Sequence, residues 1–275
     1  IYRNQKGQEI TLSNSRPFYF SSIENAASSS TNVITSSRDH GFDIDSISLK
    51  EKSLPVIGGI EGFNKEELDR KRIYLTKVLN PLLKGELIYI NNGITRKIDV
   101  YVESTTFKPQ VANLQEFLIQ FIAPMPFWKD IALWEPNFDF ELEVEDEGID
   151  LGNRVSNLIC TINNTGDIEC GMKIQFRALA TVVNPSLINI NTRDFIKINK
   201  TLNQGDILEV TTEYANKKIE LLKSNGIREN VYHWIDLESE FLQLDIGDNL
   251  FRYDAESGID NLEVSIYHTN LYIGI

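Results

Sequence analysis

Apolar and polar residues alternate in several short stretches of this 275-residue chain. The clearest is Phe42-Asp43-Ile44-Asp45-Ser46-Ile47-Ser48-Leu49. A period of two places successive side chains on opposite faces of an extended strand, so this run predicts a half-buried β-strand. Ile10 to Phe20 reads as a strand broken near Ser13 to Pro17. Residues 21–37 between them are rich in Ser, Thr and Asn, which suits a mobile loop or an extended arm ordered by a neighbour. Leu87-Ile88-Tyr89-Ile90 and Lys97-Ile98-Asp99-Val100-Tyr101-Val102 flank Asn92-Gly93. Both turn residues tolerate positive φ, so the trio predicts a β-hairpin. Leu114 to Ile122 is apolar on both faces and reads as a central strand, stopped by Pro124 and Pro126. Phe127, Trp128 and Trp134 follow as a plug for a domain base or junction.

One segment has helical periodicity. Asn64 is an N-cap, and Glu66, Glu67 and Asp69 put negative charge in the first turn, where the helix dipole favours it. Leu68, Leu75, Leu79 and Leu82 share a face, with Arg72 in the gap of the stripe. Pro81 disfavours helical angles at Asn80, so the helix should end near Leu79.

From about residue 138 the pattern changes. Phe138 to Val144 alternates strictly. Gly148, Gly152, Gly166-Asp167, Asn184-Pro185, Gly205-Asp206, Asn225-Gly226, Gly247-Asp248 and Gly258 punctuate the remainder. Short strands between regular turn signals predict a β-sandwich. The expected fold is therefore mainly β: a β-rich α+β domain with one helix over 1–135, then a β-sandwich over 136–275.

Composition supports two folded cores, with 41% hydrophobic and 10% aromatic residues. The net charge is −13; residues 1–135 are balanced, and the whole excess falls in 136–275. Two domains with different surfaces give such a split, and an acidic surface repels phosphate, so nucleic-acid binding is not expected there. Ile1 to Lys6 has no apolar signal core, and no run of about 18 apolar residues exists, so no membrane span is expected and folding in a cytoplasm is. Cys160 and Cys170 are nearly symmetric about Asn163-Asn164-Thr165-Gly166. If that run closes a hairpin the two could lie opposite each other; packed, reduced thiols are favoured over a bridge.

Recognisable reaction chemistry is sparse. His40, His233 and His268 sit in no catalytic or metal spacing, and no Gly-x-Ser-x-Gly, His-Glu-x-x-His or phosphate-loop Gly-Lys-Ser/Thr occurs. Gly58-Gly59-Ile60-Glu61-Gly62 lacks the lysine of a phosphate cradle and reads as a turn. Asp39-His40 reads as turn chemistry rather than a hydrolytic pair. Asp43 and Asp45 are assigned to the solvent face of their strand, and Glu143, Glu145, Asp146, Glu147 and Asp150 to an acidic linker surface rather than a calcium site. No catalytic, cofactor-binding or metal-ligating residue is assigned. A structural component, a sugar-binding module and an enzyme with an unrecognised site all remain open.

A family resemblance narrows these classes. Leu79-Asn80-Pro81, Gly85-Glu86-Leu87-Ile88-Tyr89, Arg96-Lys97-Ile98-Asp99-Val100 and Phe117 through Ala123-Pro124-Met125-Pro126-Phe127-Trp128 resemble, in order, the N-terminal domain of siphophage distal tail proteins. Arg38-Asp39-His40-Gly41-Phe42-Asp43 resembles that family's approach to its next strand. Asn164-Thr165-Gly166-Asp167, Ile174-Gln175-Phe176, an Asn184-Pro185 turn, Leu202 to Asp206 and Ser239 to Asn249 extend the resemblance through the second half. The resemblance implies a ring-forming N-terminal domain and a galectin-like C-terminal β-sandwich. It implies six copies in a ring at the tail tip of a virion, between the tail-tube protein and the tail-tip hub, with receptor-binding proteins outside. No reaction or cofactor is implied. The alternative is a carbohydrate-binding adhesion module acting through the sandwich, with Trp234 as its test residue; the His-Asn-Arg and Trp-Glu constellation of galectin sugar sites cannot be placed.

Overall fold

The computed structural model describes residues 1–37, 40, 42–131, 138–139, 142–143, 155–156 and 158–275. Trp134 and the acidic run after Glu143 lie outside the described residues, as does Asp39. The chain divides into two compact units, Ile1–Ile131 with Tyr272–Ile275, and Ala132–Leu271.

The first unit holds β1 (Tyr2–Asn4), β2 (Glu9–Ile10), β3 (Phe18–Ile23), β4 (Thr31–Ser37), β5 (Phe42–Leu49), β6 (Lys52–Glu61), α1 (Lys65–Val78), β7 (Gly85–Asn91), β8 (Ile94–Phe107), β9 (Leu114–Ala123) and β10 (Trp128–Asp130). Antiparallel pairing gives the order β2-β1-β7-β8-β9-β6-β3, with β10 added beside β8. The long β8 joins the two halves: residues 94–100 pair with β7 and residues 101–107 with β9, with a register shift between Val102 and Ser104. The Asn92-Gly93 turn forms as expected, with φ of 47° and 81°. The β7–β8 hairpin is thus an interior part of its own sheet. β9 is central, between β6 and β8.

α1 begins where the sequence places it. Asn64 Oδ1 accepts from Glu67 N at 2.9 Å, and Glu67 Oε2 accepts from Phe63 N at 2.7 Å. The first bond occupies one of the amides that a helix start leaves unpaired, and the second ties the residue before the cap to the first turn. Leu68, Leu75 and Val78 are buried, as is the cap residue Leu79. Leu82 departs from the expected stripe: it lies beyond the helix and is 88% exposed, because the chain has already turned at Asn80. At the other end the buried Asn4 donates its amide to Val78 O at 3.1 Å, closing a carbonyl left over at the helix terminus.

Gly58 and Gly59 form no turn; both sit within β6. A Cβ on Gly58 would come within 2.4 Å of Tyr19 O and 2.6 Å of the Phe117 ring. The glycine is there because a neighbouring backbone and an aromatic ring occupy its side-chain space.

The second unit holds β11 (Phe138–Asp139), β12 (Leu142–Glu143), β13 (Val155–Ser156), β14 (Ile159–Asn164), β15 (Met172–Ala178), β16 (Val182–Asn189), β17 (Phe195–Lys197), β18 (Thr201–Leu202), β19 (Ile207–Thr211), β20 (Lys218–Leu222), β21 (Arg228–Asn230), β22 (Gly247–Ser257) and β23 (Leu262–His268); β24 (Leu271–Tyr272), at the boundary, pairs with β10. One sheet runs β11-β23-β15-β19-β20-β21, the other β14-β22-β16-β17 with β18 beside β16. Ile174, Phe176, Leu208 and Val264 of the first share one core with Ile162, Leu187, Phe251 and Tyr253 of the second. This is the β-sandwich that the short strands predict.

One local expectation fails here, and one open possibility is not realised. Asn184-Pro185 is no turn but a kink inside β16, with Asn184 at φ 51° and the pairing to β22 skipping that residue. Cys160 and Cys170 do not face each other across a hairpin. Cys160 pairs with Phe251 in one sheet, whereas Cys170 bridges Leu244, because the 163–166 run crosses between sheets. Both are free, buried thiols, and burial pushes each pKa up to about 12, which suits inert packing groups.

Candidate functional site

Two exposed surfaces stand out in the first unit. β4 and β5 form a two-stranded sheet bonded to no other strand among the described residues. β4 is exposed along its whole length. Val33 lies opposite Ile47, and Thr35 opposite Ile44, on one face of the ribbon. Val33, Ile44 and Ile47 are 47%, 54% and 61% exposed. The strand at 42–49 forms with the expected bounds, but it is not half-buried: Ile44 and Ile47 of its apolar face are exposed. Residues 21–37, read as a loop or arm, instead supply the end of β3 and all of β4. A bulge at Asp45 breaks the alternation that put Asp43 and Asp45 on one face, and Asp45 Oδ1 accepts from Ser36 Oγ at 3.0 Å. A lone two-stranded ribbon is marginal in water, and an uncovered apolar face on it marks a contact surface.

α1 presents a second surface. Its inward stripe is buried, and on the opposite side Arg70, Ile73, Tyr74 and Lys77 follow the i, i+3, i+4, i+7 spacing of one helix face, all exposed. Beside it a groove of about 410 Å³ is lined by Pro17, Phe18, Glu67, Arg70, Lys71 and Tyr74. Lys71 is engaged by Glu67 at 2.8 Å. At the nearby rim Glu61 accepts from Tyr19 Oη and from Arg16 at 2.5 Å; the Tyr19 bond first, then Arg16, holds its carboxyl below the usual range.

Residues 272–275 are tied into the first unit by two cations. Lys52, buried, donates to Ile273 O at 2.6 Å and Ala26 O at 3.4 Å. Burial pushes its pKa down. Arg96 lies 3.4 Å over the Tyr272 ring and donates to Gly274 O at 2.6 Å, while Tyr272 Oη donates to Asp130 at 2.9 Å. Nothing in the sequence pattern marks Lys52 or Arg96 for this role, because the partners are 221 and 178 residues away.

In the second unit, the residue proposed for a sugar platform is otherwise engaged. Trp234 packs partly against the sandwich core, Lys200 Nζ stands 4.9 Å from its ring centre, and His233 meets it edge-on. Lys200 thus makes a cation–π contact with the ring. The acidic surface carries a small ion network. Burial would raise the Glu209 pKa, but hydrogen bonds from Gln175 and Arg228, and the charges of Lys173 and Arg228, hold it low. Among the described residues no group of three His, Cys, Asp or Glu is arranged for a metal, and no helix is long and apolar enough to cross a membrane.

Residues 5–123 match the family model described as phage tail protein RIFT-related domain, and residues 165–272 that of the siphovirus-type tail component, C-terminal domain. No curated protein matches the chain. Among solved structures, the Dit protein of phage SPP1 superposes with a TM-score of 0.72 at 14% identity, covering 98% of each chain. Its description calls it a paradigm of the hub adsorption apparatus in phages infecting Gram-positive hosts. A chain of the phage p2 baseplate in its activated conformation with Sr gives a TM-score of 0.59 at 10% identity, covering 100% of this chain and 99% of that one. The corresponding baseplate with Ca gives 0.56 at 10%, covering 94% and 92%. At these identities the superpositions establish the fold alone; the two family models, in order and together spanning most of the chain, establish the lineage. The chain belongs to the siphophage distal tail protein family, a family of phage tail and baseplate structural components.

Proposed function

We propose that this protein is a non-enzymatic ring component of a virion tail tip. Six copies close a ring that joins the tail tube to the tail-tip hub and to host-adhesion proteins. The observation that carries this reading is the β4–β5 ribbon, whose apolar face has no cover in its own unit, in a chain built from two tail-protein modules. A ring is a heterologous assembly, so each copy must offer one surface and accept another. The ribbon and the outer face of α1 give the first unit two different surfaces of that kind. The second unit, with the acidic excess, suits the outside of such a ring, where charge keeps an assembly soluble. The protein is made in the host cytoplasm and ends in the particle. Gold-labelled antibody against the chain should decorate the tail end of intact virions and nowhere else; label absent from particles, with the protein left in the lysate supernatant, would refute the reading.

A further inference from the structure

We infer that Asn92 is a site of spontaneous covalent modification, losing its side-chain amide to water through a cyclic imide closed by the Gly93 main-chain nitrogen, and that the same pair at Asn225-Gly226 is locked against this reaction. The chain holds two Asn-Gly pairs, one at the β7–β8 turn and one at the β20–β21 turn. Such a pair is open to this chemistry because glycine has no side chain to hinder the closing of the ring. All four residues are exposed, and a Cβ added at either glycine would meet nothing within 4 Å, so access does not separate the two sites. Their hydrogen bonds do. Gly226 N donates to Lys223 O at 2.8 Å, and Asn225 Oδ1 accepts from Ile227 N at 3.1 Å. The nucleophile and the carbonyl it would attack are thus both held. Among the described residues, neither the Asn92 side chain nor Gly93 N makes a hydrogen bond.

The reaction balances with water as its only co-reactant. Gly93 N loses its proton to hydroxide and attacks Asn92 Cγ. The new N–C bond displaces Nδ2, which leaves as ammonia. Water then opens the ring. Addition at Cγ restores the main chain with an aspartate side chain; addition at the main-chain carbonyl leaves an isoaspartyl link, with the chain running through the former side chain. A proton already bonded to a carbonyl, as at Gly226, is harder to remove, and a side chain pinned to Ile227 N must let go before it can swing to the ring-closing geometry. At Asn92 only the turn backbone has to flex. The product changes the hairpin end. Asn92 and Gly93 have φ of 47° and 81°, the twist that a two-residue turn needs, and an isoaspartyl link adds a carbon to it. Either product sets a carboxylate on a hairpin end that carries the exposed Ile90 and Ile94. No second copy of the chain takes part.

Peptide mapping of the full chain after incubation in mildly alkaline buffer tests this. Trypsin releases residues 85–96 and 224–228 as separate peptides, and digestion in heavy-oxygen water marks any conversion that occurs during workup. In the folded chain, 85–96 should gain the amide-to-acid mass shift about tenfold faster than 224–228, a factor that two hydrogen bonds of ordinary net strength impose. In urea the two peptides should convert at similar rates, because the difference belongs to the fold. Isoaspartyl methyltransferase should label the incubated, folded parent chain, and Asn92→Gln should lose most of that label, since the longer side chain has to close a larger, slower ring. Equal rates in the folded chain, or faster conversion of 224–228, would overturn the inference. So would an 85–96 peptide that stays unchanged in the folded chain while it converts in urea, or label undiminished in Asn92→Gln.

Discussion

Replacing Trp128 by Ala should strip most of the stability from the first unit and leave the second unit intact. Trp128 is fully buried and is the largest side chain in the core formed by Leu54, Ile98, Phe121 and their neighbours. Its indole Nε1 donates to Ala26 O at 3.0 Å, and Tyr89 meets its ring edge-on at 6.3 Å. Truncation removes the ring's transfer free energy, leaves a cavity that a sheet cannot collapse around, and leaves Ala26 O with only the longer bond from Lys52 Nζ at 3.4 Å. Core Trp→Ala changes cost about 3–5 kcal/mol, and about 4 kcal/mol corresponds to roughly a thousandfold rise in the open population. Hydrogen exchange checks it by segment: protection in β6, β8 and β9 should fall by that order, with β15, β19 and β22 unchanged. Unaltered protection in β8 and β9 would mean that Trp128 is not the keystone of that core.

Asn164→Ala should have a comparable effect on the second unit. Asn164 is buried at the end of β14, where the chain crosses from one sheet to the other. Its amide donates to Ile168 O at 2.9 Å and Leu244 O at 3.0 Å, and its carbonyl accepts from Gly166 N at 2.9 Å. Alanine would leave the part-buried Ile168 carbonyl and the buried Gly166 amide without these partners, while Leu244 O would keep its bond from Cys170 N at 3.1 Å. At about 1–3 kcal/mol for each unsatisfied group, and with partial relaxation, a loss of about 3 kcal/mol is expected. Asn164→Asp should do no better, since it restores the acceptor for Gly166 but sets a carboxylate against two carbonyl oxygens. The readout is the urea midpoint of the sandwich, followed by the exposure of Cys160 and Cys170 to a thiol reagent. A midpoint within error of the parent chain would show that water replaces the side chain at no cost.

These two residues also mark how far the sequence could be read. What depends on near neighbours was legible. Asn64 with Glu67 three residues later fixes a helix start, and Asn92-Gly93 between apolar runs fixes a hairpin. The alternation at 42–49 gave the strand to the residue. What depends on distant neighbours was not legible. Gly58 looked like a turn because the ring of Phe117 that fills its side-chain space is far along the chain. Asn184-Pro185 carries a turn signature, yet pairing of β16 with β22 absorbs it as a kink. The symmetric cysteines suggested a hairpin, but the hydrogen bonds of Asn164 carry the chain across to the other sheet. The same limit governs the candidate surface. Alternation states that one face of 42–49 is apolar and not what covers it; burial in its own unit was the natural reading, and Ile44 and Ile47 are instead exposed there. The distal tail resemblance was readable because its pieces occur in order over both halves, though each alone is short.

Static light scattering of the purified full chain bears most directly on the central claim, that this protein works by closing a ring of copies. Six copies of the 31.4 kDa chain give about 188 kDa, and that mass, constant over a tenfold range of concentration, is the predicted result. A monomer mass throughout, unchanged when the tail-tube and hub proteins are added, would contradict it.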